Sequence, residues 1–260
     1  MKKKILTLCL VVALAATAIV GGTLAYFTDT DKEVNTFTVG GVKIDLIEQQ
    51  GNEDGTDLVD YVQEDKLLMP IVGSAQGEKD AYGLPTAENY VDKIVTVKNL
   101  SSNAWVRVYY AIPTVLDNVG DASQNIVHVN GGNKFVAAGN KADGNAVNED
   151  YTKNMGEEVY VGAYTGADQV SYNLYYRDYN KILTKDEVTG SAFMVGLYLD
   201  KNVDMDKDGY TINGTRINFD FSNGVNIPVA AVGVQAAGFN TAAAAVEAAF
   251  GANFNPFTAE

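Results

Sequence analysis

The sequence predicts an all-β protein, a jelly-roll-like antiparallel β-sandwich with long loops and a short C-terminal Ala-rich helix. Short runs rich in β-branched and aromatic residues alternate apolar with polar side chains, which is the period of a half-buried strand. Clusters of Gly, Asn and Asp separate these runs, as turns do. Only residues 241–250 have a helical composition. Many short strands joined by such turns are typical of a β-sandwich, and we expect the jelly-roll type.

The first 25 residues form a predicted export signal. Lysines at positions 2–4 precede an apolar run over residues 5–20, and small residues follow. These are the three parts of a signal peptide, and the apolar run is shorter than the ~20 residues that span a bilayer. We expect cleavage after Thr23 and Ala25, immediately before Tyr26, and no stable membrane span in the mature chain.

The composition excludes several classes of partner. The whole chain has a net charge of −14, and removing residues 1–25 would leave 16 basic against 33 acidic residues, a net charge of −17. Nucleic-acid backbones and anionic bilayers repel such a surface, so we expect no nucleic-acid partner. Cys9 is the one cysteine and lies in the signal. A mature chain without disulfides must be stabilised by its core, which favours a bacterial surface protein.

Residues 26–41 form a predicted N-terminal arm. Its first part is polar and acidic after two aromatic residues, and it ends in a short alternating run that contains Phe37 and Val39. Gly40 and Gly41 then shift the alternation by one position. We interpret the run on both sides of the glycine pair as one strand with a kink or bulge. The glycine pair is therefore the expected hinge between the arm and the domain.

A single β-sandwich domain is expected over residues 42–260. Its clearest strands are 91–98 and 104–112, and the five turn-type residues between them predict an antiparallel hairpin. One face of the second strand should meet the core and the other should be partly exposed. Further strands are predicted at residues 42–46, 158–164, 170–176, 192–200, 215–221 and 225–235.

The Ala-rich segment 241–250 is the one convincing helix in the sequence. Asn240 is placed as its N-cap, because a side-chain oxygen at that position accepts from the first free N–H groups. Gly251 is placed as its C-terminal stop, because helices often end at a glycine in the left-handed region.

Groups suited to catalysis are few. His128 is the only histidine, so a zinc site with paired histidines such as His-Glu-x-x-His is excluded, and Ser-His-Asp chemistry would have to use this residue. It lies in an apolar strand run, where we interpret it as structural or solvent-facing. We therefore expect no catalytic residues and no enzymatic activity.

One pattern suggests a metal. Asp204, Asp206 and Asp208, followed by Gly209, match the start of a calcium loop, in which alternate carboxylates converge on the ion. Thr215 occupies the twelfth position, where a bidentate acid is expected. A solvated hairpin turn is therefore the competing interpretation, and Ca²⁺ is the only cofactor that the sequence brings into question.

Three blocks of sequence carry a family resemblance. The first combines GGTLAYFTD at 21–29 with NTF at 35–37 and GVKIDL at 41–46. The others are KIVTVKN at 93–99 with VRV at 106–108, and IPVA at 227–230 with VQA at 234–236 and GF at 238–239. Together they cover well under half of the chain. They resemble the TasA/camelysin family of Gram-positive bacteria, whose precursors depend on a dedicated signal peptidase, SipW.

The resemblance implies a secreted subunit of biofilm-matrix fibres, located in the extracellular matrix or on the cell surface and cut by a SipW-type peptidase. In the TasA branch, the mature arm of one subunit adds as a strand to the next. That mode would place Phe27, Val34, Phe37 and Val39 at a neighbour's sheet edge in a homopolymeric filament. The residues alone leave three arrangements of the arm open. It inserts into a neighbour, folds back on its own sheet or stays loose.

Two other functions stay open. The camelysin branch has been assigned metallopeptidase activity, but a chain with one histidine and no mature cysteine would need an all-carboxylate metal site. A monomeric surface adhesin, or a minor subunit that anchors the fibre, would use the same signal and the same fold. The sequence does not decide between a major and a minor subunit.

Overall fold

The computed structural model describes residues 36–39, 41–52, 54–62, 68–78, 80, 84–131, 154–206, 208–221 and 224–258. This part of the chain contains thirteen strands, one α-helix and two 3₁₀ helices, Thr114–Leu116 and Ala122–Gln124. The strands are β1 (Thr36–Val39), β2 (Ile44–Gly51), β3 (Leu58–Asp60), β4 (Val91–Asn99), β5 (Ala104–Pro113), β6 (Val127–Asn130), β7 (Val159–Thr165), β8 (Ser171–Leu183), β9 (Met194–Leu199), β10 (Val203–Asp206), β11 (Gly209–Ile212), β12 (Thr215–Arg216) and β13 (Val229–Gln235). The helix α1 spans Ala242–Phe250.

The strands form two five-stranded sheets and one small sheet. The first sheet has the order β1-β13-β5-β8-β7, the second has the order β3-β2-β4-β9-β6, and β10, β11 and β12 form the third. The ladders between strands are antiparallel, except that β1 runs parallel to β13. Each large sheet joins strands that are distant along the chain, as jelly rolls do. The predicted all-β sandwich is confirmed.

Two apolar clusters hold this architecture together. The larger one fills the space between the two large sheets and includes Val97, Val108 and Leu197, each at most 1% exposed. The smaller one lies on the other face of the first sheet, where α1 and the residues after it cover Tyr109 and Val232. A sandwich without disulfides therefore gains a third layer, which buries more apolar surface.

The predicted hairpin of β4 and β5 is wrong, because the two strands lie in different sheets. β4 pairs with β2 and β9, whereas β5 pairs with β13 and β8. The connection crosses the sandwich at Asn99, which is fully buried and whose Nδ2 donates to the carbonyls of Ser102 and Leu183, both at 2.8 Å. This side chain replaces the hydrogen bonds that a hairpin turn would make within one sheet.

The prediction of a partly exposed face on β5 is also wrong. All ten of its residues are buried. The predicted core face is confirmed, since Val106 and Val108 lie in the inter-sheet cluster. The opposite face is buried by the C-terminal layer, where the Trp105 indole donates to the carbonyl of Phe239 at 3.2 Å and Phe254 packs edge-on against Tyr109.

Arg107 lies on that second face with no exposed side-chain surface. Its Nε and Nη2 donate to the Asp178 carboxylate at 2.6 and 2.9 Å, and its guanidinium stacks 3.6 Å from the ring centre of Tyr176. A bidentate pair of this kind compensates much of the cost of burying the charge.

The predicted helix is present, with one change at its start. Thr241, not Asn240, is the N-cap, since its hydroxyl accepts from the Ala244 N–H at 3.1 Å. Gly251 ends the helix at a φ of +91°, as predicted. No helix within the described residues is long and apolar enough to cross a membrane.

Replacing Asn99 by Ala tests the crossing between the sheets. The change removes the amide that donates to the carbonyls of Ser102 and Leu183, and the bond to Leu183 is buried, so we expect the free energy of unfolding to fall by about 1–3 kcal/mol. Urea denaturation monitored by circular dichroism measures this loss. Asn118→Ala, in an exposed loop, is the control and should change stability much less. Equal stability of the two variants would contradict this role for Asn99.

Removing the partner of Arg107 tests the buried ion pair. Asp178→Ala leaves an uncompensated charge under the C-terminal layer, and we expect a loss of about 3–5 kcal/mol. Asp206→Ala removes a comparable carboxylate–arginine pair at the surface, where both side chains are 41–52% exposed, and should cost at most about 1 kcal/mol. Denaturant titrations of both variants give the comparison, and similar losses would refute the stabilising role of the buried pair.

Candidate functional site

Residues 36–39 of the predicted arm form β1, which pairs with β13 at the edge of the first sheet. β1 pairs in parallel with β13, so that Phe37 lies opposite Val232 and Val39 lies opposite Val234. β13 is seven residues long and pairs along its whole length with β5 on its other side. Four residues of the arm therefore occupy the outer side of β13 in the monomer.

The chain crosses from one large sheet to the other directly after β1. We predicted one kinked strand here, but β1 and β2 are separate strands in different sheets. Gly41 has a φ of +74°, which a glycine adopts without strain, and a side chain added there would meet no atom within 4 Å. Gly40 lies outside the described residues. The position of Gly41 suits a hinge because its backbone is permissive and its surroundings are open.

Two hydrogen bonds mark the point at which the chain joins the domain. The Lys43 N–H donates to the Ser101 hydroxyl at 2.6 Å, and the Lys43 carbonyl accepts from the Leu100 N–H at 2.8 Å. Val42 and Ile44 on either side are buried at 5% and 4% exposure. The body of the domain therefore begins at residues 42–43, one residue after the hinge glycine.

Gly233 leaves room for this attachment. A Cβ placed on Gly233 would lie 3.0 Å from methyl groups of both Val42 and Ile44, which is closer than ordinary van der Waals contact. Because β-branched side chains are stiff, these two residues depend on a glycine at this position. The neighbouring edge residue Ala231 is also small and fully buried.

The structure does not describe the other predicted arm residues or the predicted cleavage site. Thr23, Ala25, Tyr26, Phe27 and Val34 lie outside the described residues. The structure therefore places Phe37 and Val39 in an edge strand and leaves the remaining site residues of the arm as predictions.

The one histidine lies far along the chain from this edge, in β6. His128 Nε2 is 3.1 Å from the Asp200 carboxylate, and its ring stacks on Tyr198 with ring centres 4.8 Å apart. Burial, and then the charge of Asp200, raise the pKa of the Tyr198 hydroxyl. The histidine ring is thus held against Tyr198 and Asp200 at a half-buried position.

The three aspartates of the possible calcium loop lie on the β10–β11 hairpin. Asp206 accepts from Arg216 Nη2 through both carboxylate oxygens, at 2.9 and 3.0 Å, and pairs across the hairpin with Gly209. Calcium would have to displace this guanidinium from Asp206. In the described part of the chain, no group of three His, Cys, Asp or Glu side chains has a metal-binding arrangement.

Sequence reasoning missed the partner of the arm. β13 begins 190 positions after the end of β1 along the chain, and no local pattern links the two strands. Gly233 and Ser101 were also missed as supports of the hinge. A weak signal was present in the small residues of β13, since Ala231 and Gly233 alternate with valines, as they do where another backbone approaches closely.

Comparisons with known proteins support the N-terminal resemblance. Residues 1–60 match a family described as camelysin metallo-endopeptidase. This region includes the predicted signal, the arm, β1, β2 and β3, and the match confirms the TasA/camelysin resemblance over these 60 of the 260 residues. No curated protein sequence matches the chain.

Proposed function

We propose that the mature chain is a secreted structural subunit of an extracellular matrix fibre. In this proposal, the arm of one subunit leaves its own β13 and pairs with β13 of the next subunit. The observation that carries the proposal is the parallel strand β1. It is only four residues long, it forms the edge of the first sheet, and Gly41, the expected hinge, follows it. The domain beyond the hinge is attached independently of β1, through the hydrogen bonds of Lys43.

Exchange of β1 between subunits would conserve its contacts. The same residues would meet the same side of β13, so the monomer and the polymer differ mainly in the entropy of association and in new contacts between subunits. Burying four apolar arm side chains yields about 6–12 kcal/mol, but the part due to β1 is already gained in the monomer, whereas association loses about 4–15 kcal/mol. Because the backbone pairing of β1 is also conserved, assembly needs additional contacts between subunits, and it should depend strongly on protein concentration.

The geometry of arm exchange favours a filament over a closed dimer. The contact joins two different surfaces, an arm and an edge, and such heterologous contacts propagate when the rotation between subunits does not close. An arm of residues 26–39 extended as a strand reaches about 46 Å at ~3.3 Å per residue. This length is sufficient to reach a neighbouring domain.

In this proposal, cleavage of the predicted signal determines when the subunit can assemble. Cleavage before Tyr26 by a SipW-type peptidase would release the arm only after export, so the subunit would become competent to assemble outside the cell. A minor subunit that anchors the fibre to the cell would be a second partner. Both ideas rest on the match of residues 1–60 to the camelysin family.

The description of that family also names a metallo-endopeptidase activity. We propose a structural role instead, because the single histidine is packed against Tyr198 and Asp200 and the arm geometry accounts for the described N-terminal strand. Casein cleavage by the purified mature chain would contradict this proposal if a chelator abolished it and zinc restored it.

Deleting the arm tests the proposal directly. We expect mature protein that begins at Tyr26 to form filaments, and protein that lacks residues 26–39 to remain folded and to form no filaments, because the second variant has no strand to donate. Electron microscopy, sedimentation and circular dichroism measure filaments, mass and folding. Filaments of equal abundance from both proteins would contradict assembly through the arm.

Cysteine pairs distinguish exchange from folding back. In a mixture of Val39→Cys and Val234→Cys subunits, we expect disulfides between the two variants, because β1 of one chain would lie against β13 of the other. In the double variant, oxidation before assembly should link the two positions within one chain and block filament formation until a reductant is added.

Val39→Cys mixed with Val119→Cys is the matched control, since Val119 lies in an exposed turn and is not part of β13. Mixed disulfides in the control at the same yield, or free assembly of the oxidised double variant, would count against exchange at this edge.

A further inference from the structure

The opposite edge of the first sheet is formed by β7. This strand pairs with β8 on one side, and the described residues place no strand on its other side. Val159 and Tyr160 are 39% and 41% exposed. Natural proteins usually protect an edge of this kind with charges, proline or a very short strand.

β7 has little of that protection. From Val159 to Ala167 the sequence is VYVGAYTGA, without an acidic residue, a basic residue or a proline. One bulge lies between Tyr160 and Gly162, and regular pairing with β8 resumes from Gly162 to Thr165. The edge is therefore uncharged along its whole length and regular over its second half.

The two acidic residues nearest to the ends of β7 are turned back onto their own sheet, whereas Glu157, one position further out, is exposed. The Glu158 carboxylate accepts from the Tyr110 hydroxyl and from Arg177 Nη2, the latter at 3.1 Å. The Asp168 carboxylate accepts from the Tyr172 hydroxyl at 2.6 Å and from the Val170 N–H at 3.1 Å. These bonds hold both charges beside β8 and away from the free side of β7.

The other edges of the two large sheets differ from β7. β3 is three residues long and ends in Asp60, β6 is four residues long and contains His128, and β1 is four residues long. On a chain with a net charge of −14, two copies repel each other over most of their surface. An uncharged edge of seven residues is the place where two copies can approach.

We propose that β7 is a self-association edge, where two copies of this chain pair antiparallel about a two-fold axis near Ala163. The pairing would join two five-stranded sheets into one ten-stranded sheet. This contact is isologous, since the same strand is used by both copies. It is separate from the arm-to-β13 contact of the proposed function, and only its consequence for fibres, lateral pairing of filaments, rests on that function.

Cysteine cross-linking tests this edge. The mature chain contains no cysteine after the predicted cleavage, so Ala163→Cys introduces one thiol near the proposed axis, where it would face the same thiol of the partner. Under mild oxidation we expect the homodimer to form at least about tenfold faster than for Val119→Cys, because pairing raises the effective thiol concentration. An arm-to-edge contact joins different positions and would not give this homotypic disulfide.

A second variant tests the same contact without cysteine. Ala163→Glu places like charges opposite each other in the pair, so we expect the dimer that sedimentation detects at ~100 µM, in the range of weak interfaces, to be lost, whereas Val119→Glu should retain it. Circular dichroism and the melting temperature check that both variants are folded.

Two results would overturn the proposal. One is equal cross-linking of Ala163→Cys and Val119→Cys together with unchanged sedimentation of Ala163→Glu. The other is a disulfide between Ala163→Cys and Val39→Cys subunits without the homotypic one, which would make the arm the occupant of β7. Failure of filament formation alone would affect the proposed function and leave this test unchanged.

Discussion

The outer side of β13 must be covered by another strand, and the rest of the structure depends on this constraint. β13 packs its small inner residues against β2 and its valines under α1, and its inner neighbour β5 is buried along its full length. A strand in that position exposes a row of N–H and C=O groups beside the core unless another strand covers it. β1 supplies that cover from the same chain, and the parallel direction follows from the crossing to β2 immediately afterwards.

The positions of several strands were predictable from the sequence, because strand alternation is a local property. The structure adds β3 and β10, which lie outside the predicted strands, and of the strand predicted at 215–221 only Thr215–Arg216 is present, as β12. The pairing of the strands was not predictable. β4 and β5 are separated by turn-type residues and look like a hairpin, yet Asn99 directs the chain into the other sheet through bonds to Leu183, 84 residues away. The face of β5 that carries Arg107 was expected to be partly exposed, but the environment of Arg107 depends on Asp178, which is 71 residues away.

The candidate site shows the same division. The arm, the glycine hinge and the roles of Phe37 and Val39 are predictions from local composition, whereas the pairing of β1 with β13 depends on contacts across most of the chain. The helix stop at Gly251 was predictable, but its cap moved from Asn240 to Thr241, because both residue types are good caps and only backbone geometry decides between neighbours.

Buried charges contribute to the rigidity of a domain that has no disulfides. Lys93 has no exposed side-chain surface and pairs with Glu48 at 3.0 Å, with its ammonium 4.4 Å from the ring centre of Tyr61. Together with the pair of Arg107 and Asp178, it places strong directional contacts on β4 and β5, the central strands of the two sheets. Because such contacts penalise any other strand register, the body can keep its shape while an edge strand leaves.

The contacts proposed at β13 and at β7 differ in symmetry, and this difference determines which assembly each contact would form. The proposed exchange at β13 would join unlike surfaces and extend a filament, whereas the proposed pairing at β7 would join like surfaces and stop at two. Subunits repeated along such a filament would present the β7 edge many times, and weak contacts would then act together with a high effective concentration. Strong heterologous contacts along the filament and weak isologous contacts between filaments would produce lateral bundles without a second type of subunit.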